Sequence, residues 1–154
     1  MSPRFIERIG FYNKISDPGA VRAALWLFAY ALVPTIPVVV LLPLFLRTDG
    51  QRETGWFQML VVNPVIGTLM LGAIIIHLMK TQKEHHAVMM AALVLGAFYS
   101  LNSVLWGFAA LGALLIHGFA FTHLYRTDRQ RAFAVPMLAH ALHNALLLLI
   151  WEVF

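Results

Sequence analysis

The sequence contains no cysteine among its 154 residues and few charged residues for its length. The absence of cysteine excludes a disulfide framework and thiolate chemistry. Charged residues make up 12% of the chain, against about 25% in a soluble domain, and hydrophobic residues make up 60%, against about 45–50%. Together with a mean hydropathy of +0.77, this composition excludes an ordinary soluble domain and predicts an integral membrane protein.

The charges that are present are mostly basic, with 11 lysines and arginines against 7 aspartates and glutamates. A basic excess can indicate nucleic-acid binding. Here, however, the basic residues flank apolar runs, which is typical of membrane topology. We therefore expect the lipid bilayer, and no nucleic acid, as a partner.

Apolar runs of the length that a bilayer requires, about 20 residues, predict one helical bundle over residues 23–154 with five spans: 23–46, 56–79, 86–101, 104–125 and 133–154. The third and fourth spans share one uncharged run, and Ser100–Ser103 is the predicted turn between them. Asp17–Pro18 predicts the start of the first helix. Three prolines predict a kink or break within it: Pro34, Pro37 and Pro43.

Lysine and arginine counts give these spans an orientation. Nine lie on the side that holds the N-terminus: Arg4, Arg8, Lys14, Arg22, Lys80, Lys83, Arg126, Arg129 and Arg131. The other side holds two, Arg47 and Arg52. This excess predicts a cytoplasmic N-terminus. Residues 1–22, which lack the pattern of a cleavable signal peptide, then form either a tail or a helix along the cytoplasmic membrane face.

The candidate site lies in "VPMLAHALHNALLLLIW", residues 135–151, where polar side chains interrupt an apolar span. Such side chains are costly in lipid and tend to mark sites. His140 and Asn144 are one turn apart on the same helix face. His117, on the preceding span, should lie at a depth similar to that of His140. His143 is predicted to be a packing residue.

The segment "HLYRTDRQRAFAVPMLAHALHNALLLL" that contains this site resembles the end of the CPBP family, the CAAX-protease and bacteriocin-processing intramembrane metalloproteases. The family motif HxxxN is matched by His140 and Asn144. Upstream, "VNPVIGTLMLGAIII" resembles the family's EExxxR helix, and "AVMMAALVLGAFYSLN" resembles its FxxxH helix. The resemblance covers about residues 60–150 and is strongest over 123–150.

The resemblance implies a helical membrane core in which a glutamate activates water, histidines bind a metal and the asparagine helps to hold the oxyanion. This chain departs from that pattern. The paired glutamates fall on Gly67 and Thr68, the arginine on Gly72 and the histidine of FxxxH on Tyr99. Glu152 is the only carboxylate within a predicted span, and it lies at the opposite end from the histidines. The family's catalytic chemistry therefore does not carry over residue by residue.

The sequence thus predicts an all-α integral membrane protein, a catalytically degenerate relative of this family in a bacterial or archaeal plasma membrane. Its favoured function is binding of membrane peptides or of a partner subunit. One alternative is an active intramembrane metalloendopeptidase, with zinc on His117, His140 and His77 and with Glu84 as base. The other is a haem-binding redox subunit, with iron between His117 and His140 or between His77 and His86.

Overall fold

The computed structural model describes residues 10–16, 19–45, 55–101 and 104–153, and all regular structure among them is helical. The predicted all-helical class is therefore confirmed. A π-helical turn, Gln58–Val62, leads directly into the third helix. In chain order the α-helices are α1 Phe11–Ile15, α2 Ala20–Phe45, α3 Asn63–Leu78, α4 Glu84–Ser100, α5 Val104–Tyr125 and α6 Arg129–Val153.

Two helical stretches of the described residues are long and apolar enough to cross a membrane. They are Gln58–Leu78 and Arg129–Ile150, of 21 and 22 residues. At 1.5 Å per residue each is roughly 32 Å long, which matches the thickness of a bilayer's hydrocarbon core. Shorter apolar stretches, Ala20–Ile36 and Ala110–Tyr125, lie in α2 and α5. The five-span topology stays a prediction.

Proline does not break α2, which is one continuous helix. The break expected from its prolines is therefore wrong. In apolar surroundings, neighbouring helices can accommodate a proline within a helix. Thr35, next to Pro34, donates its hydroxyl to the Ala31 carbonyl at 2.9 Å. On α5, Gly112 leaves room for the Pro34 ring, whose Cβ lies 2.6 Å from the position of an added Gly112 Cβ.

Two predicted boundaries fall partly or wholly outside the described residues. The predicted helix start at Asp17–Pro18 lies outside them, and α2 begins at Ala20. Of the predicted turn over 100–103, the structure describes the end of α4 at Ser100 and the turn residue Leu101.

The central helix of the bundle is α5, because it packs against all five other helices. The close packing of α5 against α4 and α3 depends on Gly118. A Cβ added to Gly118 would lie 2.7 Å from Val88 Cγ1 and 3.4 Å from Ile75 Cδ1. In turn, α6 packs against α2, α3 and α5. This arrangement brings residues of α3, α4, α5 and α6 close to one another.

The N-terminal helix α1 packs against the bundle. Phe11 and Ile15 are 2% and 0% exposed. Tyr12 stacks on His123 with ring centroids 4.5 Å apart, and the Ser16 hydroxyl is hydrogen-bonded to His123 Nε2 at 2.9 Å. Residues 10–16 therefore pack against the bundle, and the predicted position of residues 1–22 on the cytoplasmic membrane face stays a prediction.

Ser16→Ala should loosen α1 without unfolding the bundle. We expect the free energy of unfolding to fall by less than about 1 kcal/mol, because one partly exposed hydrogen bond is lost. Tryptic cleavage after Lys14 should become faster, as measured by mass spectrometry. Thr81→Ala is the control, since that hydroxyl bonds only to Leu78 in its own turn. Equal cleavage rates in both variants would show that the bond to His123 does not hold α1.

Candidate functional site

Three positions on α3, α4 and α6 meet where the sequence predicts a site. A Cβ added to Gly67 would lie 3.1 Å from His140 Cε1 and 3.2 Å from Tyr99 Oη. We call Gly67, Tyr99 and His140 the central group. These are the positions at which the family resemblance places a glutamate, a histidine and the histidine of HxxxN. In this chain the His140 and Tyr99 side chains border the space that a larger side chain at position 67 would need.

Of the other two aligned positions, Thr68 is next to the central group and Gly72 is not part of it. Thr68 is buried, at 3% exposure. A Cβ added to Gly72 would lie 2.8 Å from both Phe121 Cε2 and Phe133 Cε1. These two rings form a T-shaped pair with centroids 5.0 Å apart. The position aligned with the family arginine is therefore closed by aromatic side chains.

Two further histidines lie beside the central group. The His117 and His140 ring centroids are 6.1 Å apart, so the two rings expected at similar depth are neighbours. His117 and His143 are buried, at 5% and 6% exposure. His117 Nε2 and His143 Nδ1 have no hydrogen-bond partner, which costs about 1–3 kcal/mol for a buried polar group. His143 packs with its ring at right angles to Phe28, at a centroid distance of 6.1 Å.

The described residues do not provide the ligand set of a zinc centre. Zinc sites in proteins use three or four side chains, and in the described part of the chain no three histidines, aspartates or glutamates are placed so that they could share one metal ion. His77, the proposed third ligand beside His117 and His140, is exposed near the end of α3. His86, its proposed partner for haem, is also exposed. The donor set therefore does not fit the zinc ion that the family resemblance implies.

Two carboxylates of the described residues, Glu84 and Asp128, have partners of their own. Glu84 forms an ion pair with Arg126 at the start of α4. It precedes Tyr99 by fifteen positions on the same helix, which is about 22 Å along the axis. Asp128 Oδ1 accepts a hydrogen bond from the Arg131 backbone N–H at 3.1 Å and caps α6. Neither of these two carboxylates is placed to take a proton from water beside His140.

Asn144 has a backbone partner on the neighbouring helix. Its Nδ2 donates to the Met59 carbonyl at 2.7 Å. In the π-helical turn the Asn63 N–H bonds to the Gln58 carbonyl, five residues back. The donor for Met59 in that register would be Pro64, which has no N–H. The Asn144 amide therefore supplies the hydrogen bond that the backbone of this turn cannot make.

Sequence reasoning missed Met59, because a backbone carbonyl leaves no pattern of its own in the sequence. The available signal was Pro64. A proline near the start of an apolar helix removes one donor, and in lipid the orphaned carbonyl needs a polar side chain from another helix. Asn144 is a side chain of that kind.

Comparisons with protein-family models, with curated proteins and with solved structures give no match to this chain. The resemblance to the CPBP family therefore stays a prediction.

Proposed function

We propose that the chain is a membrane-embedded bundle of five spans. Over an 18-residue segment of each of the two long apolar stretches, only 39% and 33% of the residues are buried, whereas a core helix of a soluble protein is mostly buried. Large apolar side chains are exposed on these helices, among them Ile66 at 50%, Leu69 at 49% and Leu149 at 64%. Such exposure is unfavourable in water, at about 25 cal/mol per Å², and favourable in lipid.

The distribution of charge supports a cytoplasmic N-terminus. One end of the bundle contains α1, the start of α2, the α3–α4 loop and the α5–α6 turn, as the contacts of His123 and the Glu84–Arg126 pair require. All seven lysines and arginines of the described residues lie at this end, which we call the basic end: Lys14, Arg22, Lys80, Lys83, Arg126, Arg129 and Arg131. Basic residues are enriched on the cytoplasmic side of membrane proteins.

Within this topology we propose a catalytically degenerate protein of the CPBP type that binds a membrane peptide or a partner subunit. The observation that supports it most is the central group, in which Gly67 and Tyr99 occupy the aligned glutamate and histidine positions beside His140. The closeness of these three residues, which are distant in sequence, supports the proposal. Two of them lack the chemistry that hydrolysis needs, since neither glycine nor tyrosine supplies the carboxylate and imidazole of the family site.

Purification in detergent tests this proposal. We expect zinc and iron to be substoichiometric by elemental analysis and membrane peptides to be recovered uncleaved. His140→Ala should lower the melting temperature, because that ring fills space between Gly67 and His117, and leave the metal content unchanged. His86→Ala is the control, since that side chain is exposed. Stoichiometric zinc that is lost together with peptide cleavage in His140→Ala would contradict the proposal.

The active metalloendopeptidase is supported by one observation, the closeness of the His117 and His140 rings. Among the described residues no third ligand completes a metal site with this pair, and the pair alone does not explain hydrolysis. The metal and cleavage measurements distinguish this alternative from the degenerate protein. An absorption band of haem in the purified chain would instead identify the redox subunit.

A further inference from the structure

Four cations at the basic end come from two neighbouring loops. Lys80 and Lys83 lie in the α3–α4 loop, and Arg126 and Arg129 lie in the α5–α6 turn. All four are exposed. The ion pair between Glu84 and Arg126 brings the two loops together. We call these four residues the basic corner.

The basic corner has little acidic compensation. Glu84 is already paired with Arg126, and Asp128 caps α6. Within the described residues no carboxylate pairs with Lys80 or Lys83. By contrast, the Lys14 ammonium lies 4.6 Å from the centroid of the Trp26 ring. The two lysines of the α3–α4 loop are thus placed to neutralise an external anion.

An exposed apolar face of α4 begins beside this corner. One face of the helix carries His86, Met90, Leu93 and Ala97 at spacings of three and four residues, and all four are exposed. Met90 and Leu93 are 44% and 57% exposed, and Leu101 at the far end is 82% exposed. This face carries the His86 imidazole in the first turn of α4, and its other side chains are apolar.

We infer that the basic corner and the exposed face of α4 together bind an anionic phospholipid. The phosphate lies at Lys80 and Lys83, and the acyl chains lie along Met90 and Leu93. The negatively charged headgroup matches the basic corner, and the acyl chains match the exposed apolar face of α4. A soluble anion would match only the basic corner, and an uncharged lipid would match only the apolar face. The inference rests on the proposed membrane embedding and goes beyond it, because it specifies that the bound lipid has an anionic headgroup. Basic sites beside membrane helices bind anionic headgroups with about 1 kcal/mol per lysine or arginine.

Native mass spectrometry of the full chain in detergent tests this inference with phosphatidylglycerol and phosphatidylcholine as probes. The wild type should bind phosphatidylglycerol more tightly. Lys80→Gln with Lys83→Gln should weaken that binding about 25-fold and leave phosphatidylcholine binding unchanged. Inorganic phosphate should not compete, since it lacks the acyl chains. Met90→Ser with Leu93→Ser should weaken the binding of both lipids.

Lys14→Gln with Arg22→Gln is the matched control, because it removes two charges from the same end but from α1 and α2. It should keep the preference for phosphatidylglycerol. Equal losses in the two charge variants would assign the preference to the overall charge of the basic end and overturn the site. Equal binding of the two lipids by the wild type, or displacement by inorganic phosphate, would also overturn it.

Alkaline extraction of membranes tests separately whether the chain is embedded in the membrane. Release of the chain would contradict the proposed topology, whereas retention without lipid preference would contradict only the phospholipid site.

Discussion

Gly107→Ala should destabilise the bundle by about 3 kcal/mol, at the upper end of the usual cost of overpacking. The added Cβ would lie 2.6 Å from the Gly96 carbonyl oxygen and 2.9 Å from Ser100 Cβ, and it would overlap Ser100 Oγ. The hydroxyl can rotate away, although it then loses its 2.9 Å hydrogen bond to the Gly96 carbonyl. The carbonyl itself is backbone and can move only if α4 and α5 separate.

Gly96→Ala is the matched control, because it adds the same methyl group to the facing helix. Its nearest contacts would be Leu111 Cδ1 at 3.4 Å and the Gly107 carbonyl at 3.5 Å, which are ordinary van der Waals distances. Replacing glycine by alanine within a helix also contributes about 1 kcal/mol of helix propensity. Gly96→Ala should therefore be neutral or stabilising. Unfolding in detergent compares the two variants, and equal stabilities would contradict the close approach at Gly107.

The helical architecture could be predicted because it depends on the local composition of the chain. Apolar runs predict the helices, and the charges between them predict where the helices end. His117 and His140 were predicted to lie at a similar depth, because each residue of a helix adds a fixed rise of 1.5 Å. In the structure their rings are neighbours, with centroids 6.1 Å apart.

Contacts that depend on side-chain direction could not be predicted in the same way. Residues 1–22 were predicted to form a tail or a helix along the membrane face, whereas the burial of Phe11 and Ile15 depends on the surface that α1 meets on α2 and α5. The Tyr99 hydroxyl reaches Gly67 because a long side chain on a helix leans toward the helix N-terminus. Glu84 was considered as a base from its loop position alone, and its pairing with Arg126 required knowledge of the neighbouring turn.

Asn144→Ala should cost about 1–2 kcal/mol of stability, because the Met59 carbonyl then has no donor. Pro64→Ala offers a replacement, since it restores an N–H five residues after Met59, where the π-helical turn requires its donor. In the Pro64→Ala background we therefore expect Asn144→Ala to cost clearly less. Unfolding measurements on the wild type, the two single variants and the double variant give this coupling directly.

His143→Ala is the control for this cycle. His143 precedes Asn144 in the chain and is also buried, but it packs against Phe28. The loss of stability caused by His143→Ala should therefore be the same with proline or alanine at position 64. A cost of Asn144→Ala that does not depend on position 64 would contradict the role of the Met59 carbonyl. The family resemblance assigns Asn144 to an oxyanion, whose stabilisation has no reason to depend on Pro64. Coupling between the two positions would therefore identify Asn144 as a structural link between α6 and the π-helical turn.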